Sequence, residues 1–221
     1  MSTRLDAVVF DVLETLLDLD PLGARLEEVG QPAEVLGAFF MRFQRDAMAL
    51  TLAGDTADFM RTARQSLRIE TKQTISDEDI DYFLEGFGKV PAFADVKPAL
   101  RTLSESGITI ACLTVGDPDT TWSFLAGAGL DSYVDQVVTS DDVGVWKPAP
   151  DVYRHTAKVL NCELDRMALV AVHAWDCHGA KKVGALAGWC SRLEGEHGEV
   201  FDPADVSGAD LVEVVDGLLA L

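Results

Sequence analysis

One acidic residue follows a buried apolar run near the start of the chain. Asp11 ends the run AVVFD, and Leu13 stands two residues later, where a second acid would suit phosphate chemistry. Thr114, Lys147 and Asp176 follow later apolar runs in the same way. Each one alone could be a turn or helix-capping residue. Four such residues, in order at four successive run ends, indicate one common site.

Strands and helices that could position these residues alternate along most of the chain. Short apolar runs rich in β-formers occur at residues 7–12, 108–115, 135–140, 168–174 and 185–192, with a weaker sixth at 209–214. Helical spacing occurs between them, at 96–107, 119–129, 150–161 and 177–184. The apolar runs are continuous rather than alternating, which is typical of strands covered on both faces. We therefore predict an α/β fold, a doubly wound, Rossmann-like parallel sheet with helices on each side.

Residues 16–90 break this alternation and are predicted to contain helices only. Apolar stripes at helical spacing run through residues 36–52 and 56–69, and an acidic helix start follows at 76–87. The predicted organisation is a core of residues 1–15 and 91–221 with a helical cap at 16–90. Ligands bind beyond the carboxyl ends of the strands in open α/β sheets, so the cap would cover the site as a lid.

The composition restricts the partners of the protein. The 221 residues include 37 acids and 18 Lys and Arg, which gives a formal charge of −19. Nucleic acid and anionic membrane are poor partners for such a surface. The apolar runs are too short to span a bilayer and the N-terminus lacks a signal-peptide pattern, so we expect a cytoplasmic protein. The four cysteines have no paired or metal-ligand spacing and are interpreted as reduced thiols.

Four motifs together resemble the haloacid dehalogenase superfamily over nearly the whole chain. They are FDVLETLLD around Asp11, CLTVGD around Thr114, WKPAPDVY around Lys147 and VAVHAWDCHGAKKVG around Asp176. The resemblance implies the fold and the inserted cap predicted above. Most members of that superfamily are phosphatases, which use the first acid as nucleophile, an acid two residues later as general acid, and Mg²⁺ held by an acid of the fourth motif.

The chain departs from the phosphatase pattern at two positions. Leu13 stands where the general acid belongs, and Val172 stands where the first metal-binding acid of the fourth motif belongs. Leu13 cannot protonate a leaving alkoxide, and Val172 offers no side-chain oxygen to a hard cation. Because phosphoryl transfer depends on positioning and charge neutralisation, both changes argue against it.

The branch that lacks those acids is the L-2-haloacid dehalogenase group, which needs no metal or other cofactor. By this resemblance Asp11 attacks the α-carbon of a small 2-haloalkanoic acid, halide leaves without a proton, and water hydrolyses the aspartyl ester to give the 2-hydroxy acid. Lys147 would keep the nucleophile ionised by depressing its pKa. Thr15 and Thr114 would offer hydroxyls to the same carboxylate, and Asp176 would orient the lysine or the water.

The resemblance also implies the residues that contact the substrate. Arg42 lies where these enzymes carry an arginine for the halide and the substrate anion, and a guanidinium tolerates an apolar pocket best among the cations. Tyr153 matches their lysine-to-tyrosine spacing, although packing on the sheet is an equal alternative. Leu13 and Val115 replace polar groups of the usual pocket wall. From its position beside a site residue, Trp175 could form another part of that wall, although aromatic core packing is an equal alternative.

His173 is the most unusual residue of the fourth motif, since these dehalogenases often carry Asn there. A histidine titrates near neutrality, so our hypothesis is that His173 helps to activate the hydrolytic water. A structural histidine under the sheet edge is the alternative. At the level of the whole protein, the alternatives to dehalogenation are a phosphatase acting on a small metabolite and a non-catalytic protein. The resemblance also favours a homodimer.

Overall fold

The computed structural model describes residues 5–56, 58–115 and 118–221. Within these ranges six strands form one parallel sheet in the order β3-β2-β1-β4-β5-β6. The strands are β1 Ala7–Asp11, β2 Thr109–Thr114, β3 Gln136–Thr139, β4 Met167–Ala171, β5 Leu186–Cys190 and β6 Val206–Gly208. The first strand lies between β2 and β4, so the sheet extends from it in both directions. The predicted doubly wound α/β fold is confirmed.

Helices cover both faces of this sheet. In the described ranges the α-helices are α1 Pro21–Glu28, α2 Val35–Ala53, α3 Phe59–Glu70, α4 Asp77–Glu85, α5 Val96–Glu105, α6 Pro118–Gly127, α7 Pro150–Val159, α8 Ala174–Lys182 and α9 Leu211–Leu219. Along β1, Val8 and Phe10 pack against α5 and α9, whereas Ala7 and Val9 pack on the side of α7 and α8. This two-sided burial explains the continuously apolar strands.

The weaker sixth strand, predicted at residues 209–214, was wrong. This segment begins α9, and the sixth strand precedes it at β6. The Asp210 carboxylate accepts a hydrogen bond from the backbone N–H of Glu213, which caps the helix. Leu211, Val214 and Leu218 then form its buried face at helical spacing. The apolar run was therefore one stripe of a helix, which a short run cannot distinguish from a strand.

The segment between β1 and α5 contains α1 to α4 and a 3₁₀ turn at Gly86–Lys89, but no sheet strand among its described residues. Phenylalanines from α2, α3, α4 and the turn meet in its interior, with ring centroids 5.0–6.4 Å apart. We call these residues the cap aromatic cluster: Phe39, Phe43, Phe59, Phe83 and Phe87. The observed helices agree with the helical insertion, and its division from the core at residues 16 and 90 stays a prediction.

One motif and one predicted helix include residues that the structure does not describe. Gly116 and Asp117, which end the motif CLTVGD, lie outside the described residues, as does Ala57 within the predicted helix at 56–69. Among the residues that are described, no helix combines the length and the apolar character needed to cross a membrane.

Candidate active site

Charged side chains converge at the carboxyl edge of the sheet. Asp11 is the last residue of β1, Lys147 follows β3, and Asp176 lies in the first turn of α8 directly after β4. The Lys147 ammonium lies 2.6 Å from Asp11 Oδ1 and 2.7 Å from Asp176 Oδ2. It also donates to the carbonyl oxygen of Leu113 at 3.3 Å. The predicted convergence of the strand ends therefore brings one cation between two carboxylates.

Thr15 fixes the other oxygen of Asp11. Its hydroxyl donates to Asp11 Oδ2 at 2.7 Å and accepts the backbone N–H of Val172 at 3.1 Å. This residue is completely buried. The hydroxyl thus links the turn after β1 to the end of β4 and orients the Asp11 carboxylate.

Burial and charge act in opposite directions on these groups. Burial alone would raise the pKa of the Asp11 carboxyl, but Lys147 and His173 outweigh it and hold that pKa below its ordinary value. Burial would lower the pKa of the Lys147 ammonium, but Asp11 and Asp176 outweigh it and raise that pKa. Burial raises the pKa of the Asp176 carboxyl, which Lys147 only partly offsets. Asp11 is therefore the more strongly ionised of the two carboxyls.

The structure places Tyr153 beneath this cluster rather than at a substrate surface. Its side chain is completely buried in α7. The hydroxyl donates to Asp176 Oδ1 at 2.5 Å. Tyr153 does not line the small cavity beside Asp11, so its contact with substrate stays a prediction. Its position supports a role in orienting Asp176.

His173 lies between two carboxylates at the end of β4. Its Nδ1 is 3.4 Å from Asp11 Oδ2, and its Nε2 is 2.8 Å from Glu14 Oε2. Burial would lower the pKa of this imidazole, but Asp11 and Glu14 outweigh it and raise that pKa to about 10. His173 is therefore a cation at neutral pH. We call these residues the strand-end cluster: Asp11, Glu14, Lys147, His173 and Asp176.

Glu14 was not identified as a site residue from the sequence. It is 159 positions from His173, and its approach depends on a turn in which its own backbone has a φ of 66°. This left-handed conformation is uncommon for a residue with a side chain. The sequence does show an acid three residues after Asp11, but no spacing rule predicts that it would contact the fourth motif.

A small cavity lies beside Asp11, which forms part of its lining. Its volume is about 30 Å³, room for one or two water molecules. The lining comes from the cap, the strand ends and the segment before α7: Asp11, Leu13, Phe40, Phe43, Gln44, Met48, Val115, Trp146, Lys147, His173 and Trp175. The structure thus places Leu13, Val115 and Trp175 at the wall of this cavity, and their contact with a substrate stays a prediction. The Trp175 ring lies 5.2 Å from the ring of His173, between centroids.

A second cavity of about 950 Å³ lies beside the first and shares Leu13 with it. Thr114, which is nearly buried, lines this larger cavity rather than the small one. Its charged lining is mainly acidic, from Asp58, Asp81, Glu85 and Asp141 against Lys89. An anionic substrate is disfavoured there. The small cavity beside Asp11 is therefore the candidate active site.

The structure places Arg42 outside this pocket. Its guanidinium forms an ion pair with Glu70 of α3, and the side chain is 24% exposed. Phe40, Phe43 and Gln44 share the face of α2 that lines the pocket, whereas Arg42 lies on a different face of the helix. The structure therefore does not bring Arg42 to the pocket, and its contact with the substrate anion stays a prediction. Gln44 takes the polar position, with its Nε2 3.5 Å from His173 Nε2.

The residues at this site do not fit the magnesium ion used by phosphatases of this fold. The Lys147 ammonium already lies between the two carboxylates that a cation would need. Val172 is buried and apolar at the position of the missing acid. Among the described residues, no group of three or more His, Cys, Asp or Glu could hold a metal ion.

Comparison with known proteins gives concordant results. A family model described as haloacid dehalogenase-like hydrolase matches residues 5–184. (S)-2-haloacid dehalogenase 4A of Burkholderia cepacia is 29% identical over 190 residues, which cover 83% of this chain and 82% of that protein. (S)-2-haloacid dehalogenase 1 of Pseudomonas sp. (strain CBS-3) is 26% identical over 97% of each chain. A crystal structure of a dehalogenase with an intermediate complex superposes with a TM-score of 0.90, at 25% identity over 99% of each chain.

Proposed function

The chain belongs to the haloacid dehalogenase-like hydrolases, and on this premise we propose that it hydrolyses the carbon–halogen bond of a small 2-haloalkanoic acid. The names of its relatives support this substrate class. The observation that carries the proposal is the contact of 2.6 Å between Lys147 and Asp11, with Leu13 beside them. This arrangement provides an ionised nucleophile without an acid at position 13, two residues after it.

The first step is the attack of the Asp11 carboxylate on the α-carbon of the substrate. An oxygen of Asp11 forms the new carbon–oxygen bond while the carbon–halogen bond breaks and halide leaves with the electron pair. Halide is a weak base and leaves without being protonated. The absence of an acid at Leu13 therefore does not slow this step. Thr15 and Lys147 hold one carboxylate oxygen each, which orients the nucleophile before attack.

The second step is hydrolysis of the resulting ester at the carboxyl carbon of Asp11. Water adds to that carbon with loss of one proton to solvent, and the bond from that carbon to the bridging ester oxygen breaks. That oxygen, which came from Asp11, leaves on the product and takes up the remaining proton of the added water, which gives the 2-hydroxy acid. Lys147 would stabilise the negative charge that develops on the carbonyl oxygen of the ester when water adds, because its ammonium already lies beside Asp11 Oδ1. Asp176 and Tyr153 would keep the ammonium in place.

The pocket favours a short substrate. Its aromatic and aliphatic wall includes Phe40, Phe43 and Trp175, and its volume of about 30 Å³ is smaller than a haloalkanoic acid. Binding must therefore displace side chains, and Met48 is the flexible member of the wall. Gln44 is the neutral polar group of the pocket, and we assign to its amide a hydrogen bond to the substrate carboxylate. Because Phe40, Phe43, Gln44 and Met48 all come from α2, the helical segment acts as a cap.

The test is intact-protein mass spectrometry in H₂¹⁸O with a panel of 2-chloro- and 2-bromoalkanoates of increasing chain length. Halide release is followed in parallel, and EDTA is present throughout. We expect halide release, with ¹⁸O accumulating on the peptide that contains Asp11, and faster turnover of the shorter acids.

The matched control is Asp11→Asn, which should release no halide and take up no label. If the unmodified protein released no halide from any panel member and its Asp11 peptide stayed unlabelled, the proposal would be wrong. A screen of phosphorylated metabolites with Mg²⁺ would then test the phosphatase alternative.

A further inference from the structure

We propose that Leu13 limits the chain length of the substrate, because its side chain separates the pocket beside Asp11 from the larger cavity next to it. Without this side chain, the larger cavity becomes a compartment for an uncharged alkyl tail. The inference rests on the proposed function, since it requires a 2-haloalkanoic acid that reacts with Asp11. Leu13 determines specificity in this proposal and takes no part in the bond changes.

Leu13 stands at the boundary between the two cavities. Among the residues that the structure describes, it alone lines both the small cavity of about 30 Å³ and the large one of about 950 Å³. The residues before it are divided, because Asp11 lines only the small cavity and Val12 only the large one. At this point the wall between the cavities is therefore one side chain thick.

Two other segments complete the wall, and each contributes a pair of residues. At the end of β2, Thr114 lines the large cavity and Val115 lines the small one. In the cap, Phe59 lines the large cavity and Phe43 the small one, with ring centroids 5.0 Å apart in edge-to-face contact. Both of these parts of the wall are two side chains thick. Position 13 is therefore the place where a single truncation joins the cavities.

The backbone around Leu13 is held without the help of its side chain. The Val12 carbonyl accepts hydrogen bonds from the N–H groups of Leu16 and Leu17, at 2.9 and 3.1 Å. Leu13 itself forms a main-chain bridge with Leu17. The Leu13 side chain is only partly buried. Truncation should therefore open the wall and leave the Asp11 carboxylate in place.

The lining of the large cavity suits an uncharged alkyl tail. Burial of methylene groups against its apolar side chains is favourable. These side chains belong to Leu17, Phe59, Met60, Leu84, Phe87 and Phe124.

The charged groups of the large cavity disfavour a second carboxylate. Asp81 forms an ion pair with Arg64 of α3, which offsets its charge. The rest of the charged lining still has more acids than bases, with Asp58, Glu85 and Asp141 against Lys89. A tail that ends in a carboxylate would meet like charge there.

The difference between the cavities orients a long substrate. Its carboxylate belongs in the small cavity, where the proposed function assigns it a hydrogen bond from Gln44. Its tail must then extend past position 13 to reach free space. In the unmodified protein Leu13 occupies this path, so the proposal predicts a sharp loss of activity as the chain lengthens.

The test is the rate of bromide release from 2-bromopropionate, 2-bromohexanoate and 2-bromooctanoate. The unmodified protein should prefer 2-bromopropionate. Leu13→Ala should raise kcat/KM for 2-bromohexanoate by at least about tenfold, since the fit of even one methylene group changes this ratio by roughly 10- to 200-fold. The same variant should lose activity with 2-bromopropionate, which leaves the joined cavity partly empty. A loss of folding or of catalytic geometry would instead lower both rates.

The charge of the tail tests whether the large cavity receives it. 2-Bromohexanedioate has the same number of carbons as 2-bromohexanoate but carries a second carboxylate at its far end. In Leu13→Ala, the gain in kcat/KM should be at least about tenfold larger for 2-bromohexanoate than for the diacid. Equal gains would show that the tail does not enter the acidic cavity, and would overturn the compartment.

Two further variants control for folding and for the loss of a leucine. Leu50→Ala is the same substitution at a partly buried position of α2 that belongs to the lining of neither cavity. It should keep the chain-length preference of the unmodified protein. Leu13→Val removes less of the wall and should give a smaller gain with 2-bromohexanoate. This variant decides the result if urea unfolding shows that Leu13→Ala is not folded.

The outcomes separate this inference from the proposed function. If folded Leu13→Ala and Leu13→Val keep the chain-length preference of the unmodified protein, the role of Leu13 is wrong, while hydrolysis of 2-bromopropionate still supports the proposed function. Equal rates with short and long acids in the unmodified protein would have the same meaning. Absence of bromide release from every acid, with no ¹⁸O on the Asp11 peptide, would overturn the proposed function and this inference with it.

Discussion

The strand-end cluster and the cap aromatic cluster are both largely buried, yet different forces hold them together. The first consists of ionised groups, such as Lys147 between Asp11 and Asp176. The second consists of rings in mostly edge-to-face contact, such as Phe39 on Phe83 at 5.3 Å. A ring contributes its own buried area, so its loss is local. A charge also shifts the pKa values of its neighbours, so the removal of one charged group affects the other groups of the cluster.

The cap aromatic cluster contacts a ring that lies next to the strand-end cluster in the chain. The centroids of Phe43 and Trp146 lie 5.1 Å apart, and Trp146 directly precedes Lys147 in the chain. Both rings also line the pocket beside Asp11. Packing in the cap therefore extends to the wall of the site. We expect substitutions inside the cap aromatic cluster to change the free energy of unfolding more than they change kcat/KM.

The largest expected effect follows from removing the shared cation with Lys147→Met. Two buried carboxylates would lose their counterion, which we expect to cost about 3–5 kcal/mol in the free energy of unfolding. Halide release should also disappear, because the pKa of Asp11 would rise. Urea unfolding and the halide assay measure the two effects. Lys158→Met, at an exposed position of α7, should change stability by less than about 0.5 kcal/mol. Retained activity in Lys147→Met would show that the cation is not needed for ionisation.

A similar loss of stability with a different effect on activity is expected for Phe39→Ala. The ring is fully buried and contacts three other phenylalanines, so truncation should cost about 3–5 kcal/mol. Below the unfolding transition, kcat/KM should stay within about threefold of the unmodified value, a change under about 1 kcal/mol. Met41→Ala, at a position 74% exposed, is the neighbouring control. A folded Phe39→Ala protein without activity would contradict the separation of the two clusters.

The sequence was most informative about features that depend on the pattern within a single strand. Continuous apolar strands predicted the two-sided sheet, and the polar residues at strand ends predicted that Asp11, Lys147 and Asp176 meet. Both inferences depend only on the parallel arrangement of strands, which brings their carboxyl ends to one edge. The segment at residues 209–214 failed because a short apolar run fits a helix as well as a strand.

The sequence was least informative where the outcome depends on how elements pack. Whether Arg42 or Gln44 reaches the pocket depends on the rotation of α2, which is set by contacts of Phe39 and its neighbours. The contact of Glu14 with His173 depends on a left-handed backbone in one turn and on the end of a distant strand. The homodimer and the cytoplasmic location stay predictions.

An intermediate effect is expected for the pH dependence of stability in His173→Asn. The folded-state pKa of His173 is about 10, above the ordinary histidine value of roughly 6.5. Its protonation therefore stabilises the folded protein fully below about pH 6.5, and this contribution is lost as the pH rises through about 10. The advantage of the unmodified protein over the variant should shrink across that window by on the order of 3 kcal/mol. Urea unfolding at several pH values measures it, with His155→Asn as the control. A gap that stays constant with pH would show that the carboxylates do not hold this proton.

The smallest expected effect separates two neighbouring residues of α2. Arg42→Gln removes a partly exposed ion pair with Glu70, so stability should change by less than about 1 kcal/mol and kcat/KM by less than about threefold. Gln44→Leu keeps a similar volume but removes the pocket amide. A lost hydrogen bond to the charged substrate should raise KM by about 10- to 100-fold. Steady-state kinetics with a 2-haloalkanoate compares the two directly. The opposite pattern, with KM changed by Arg42→Gln and not by Gln44→Leu, would mean that α2 turns its other face to the site when substrate binds, and that the cap and the strand ends do not act separately.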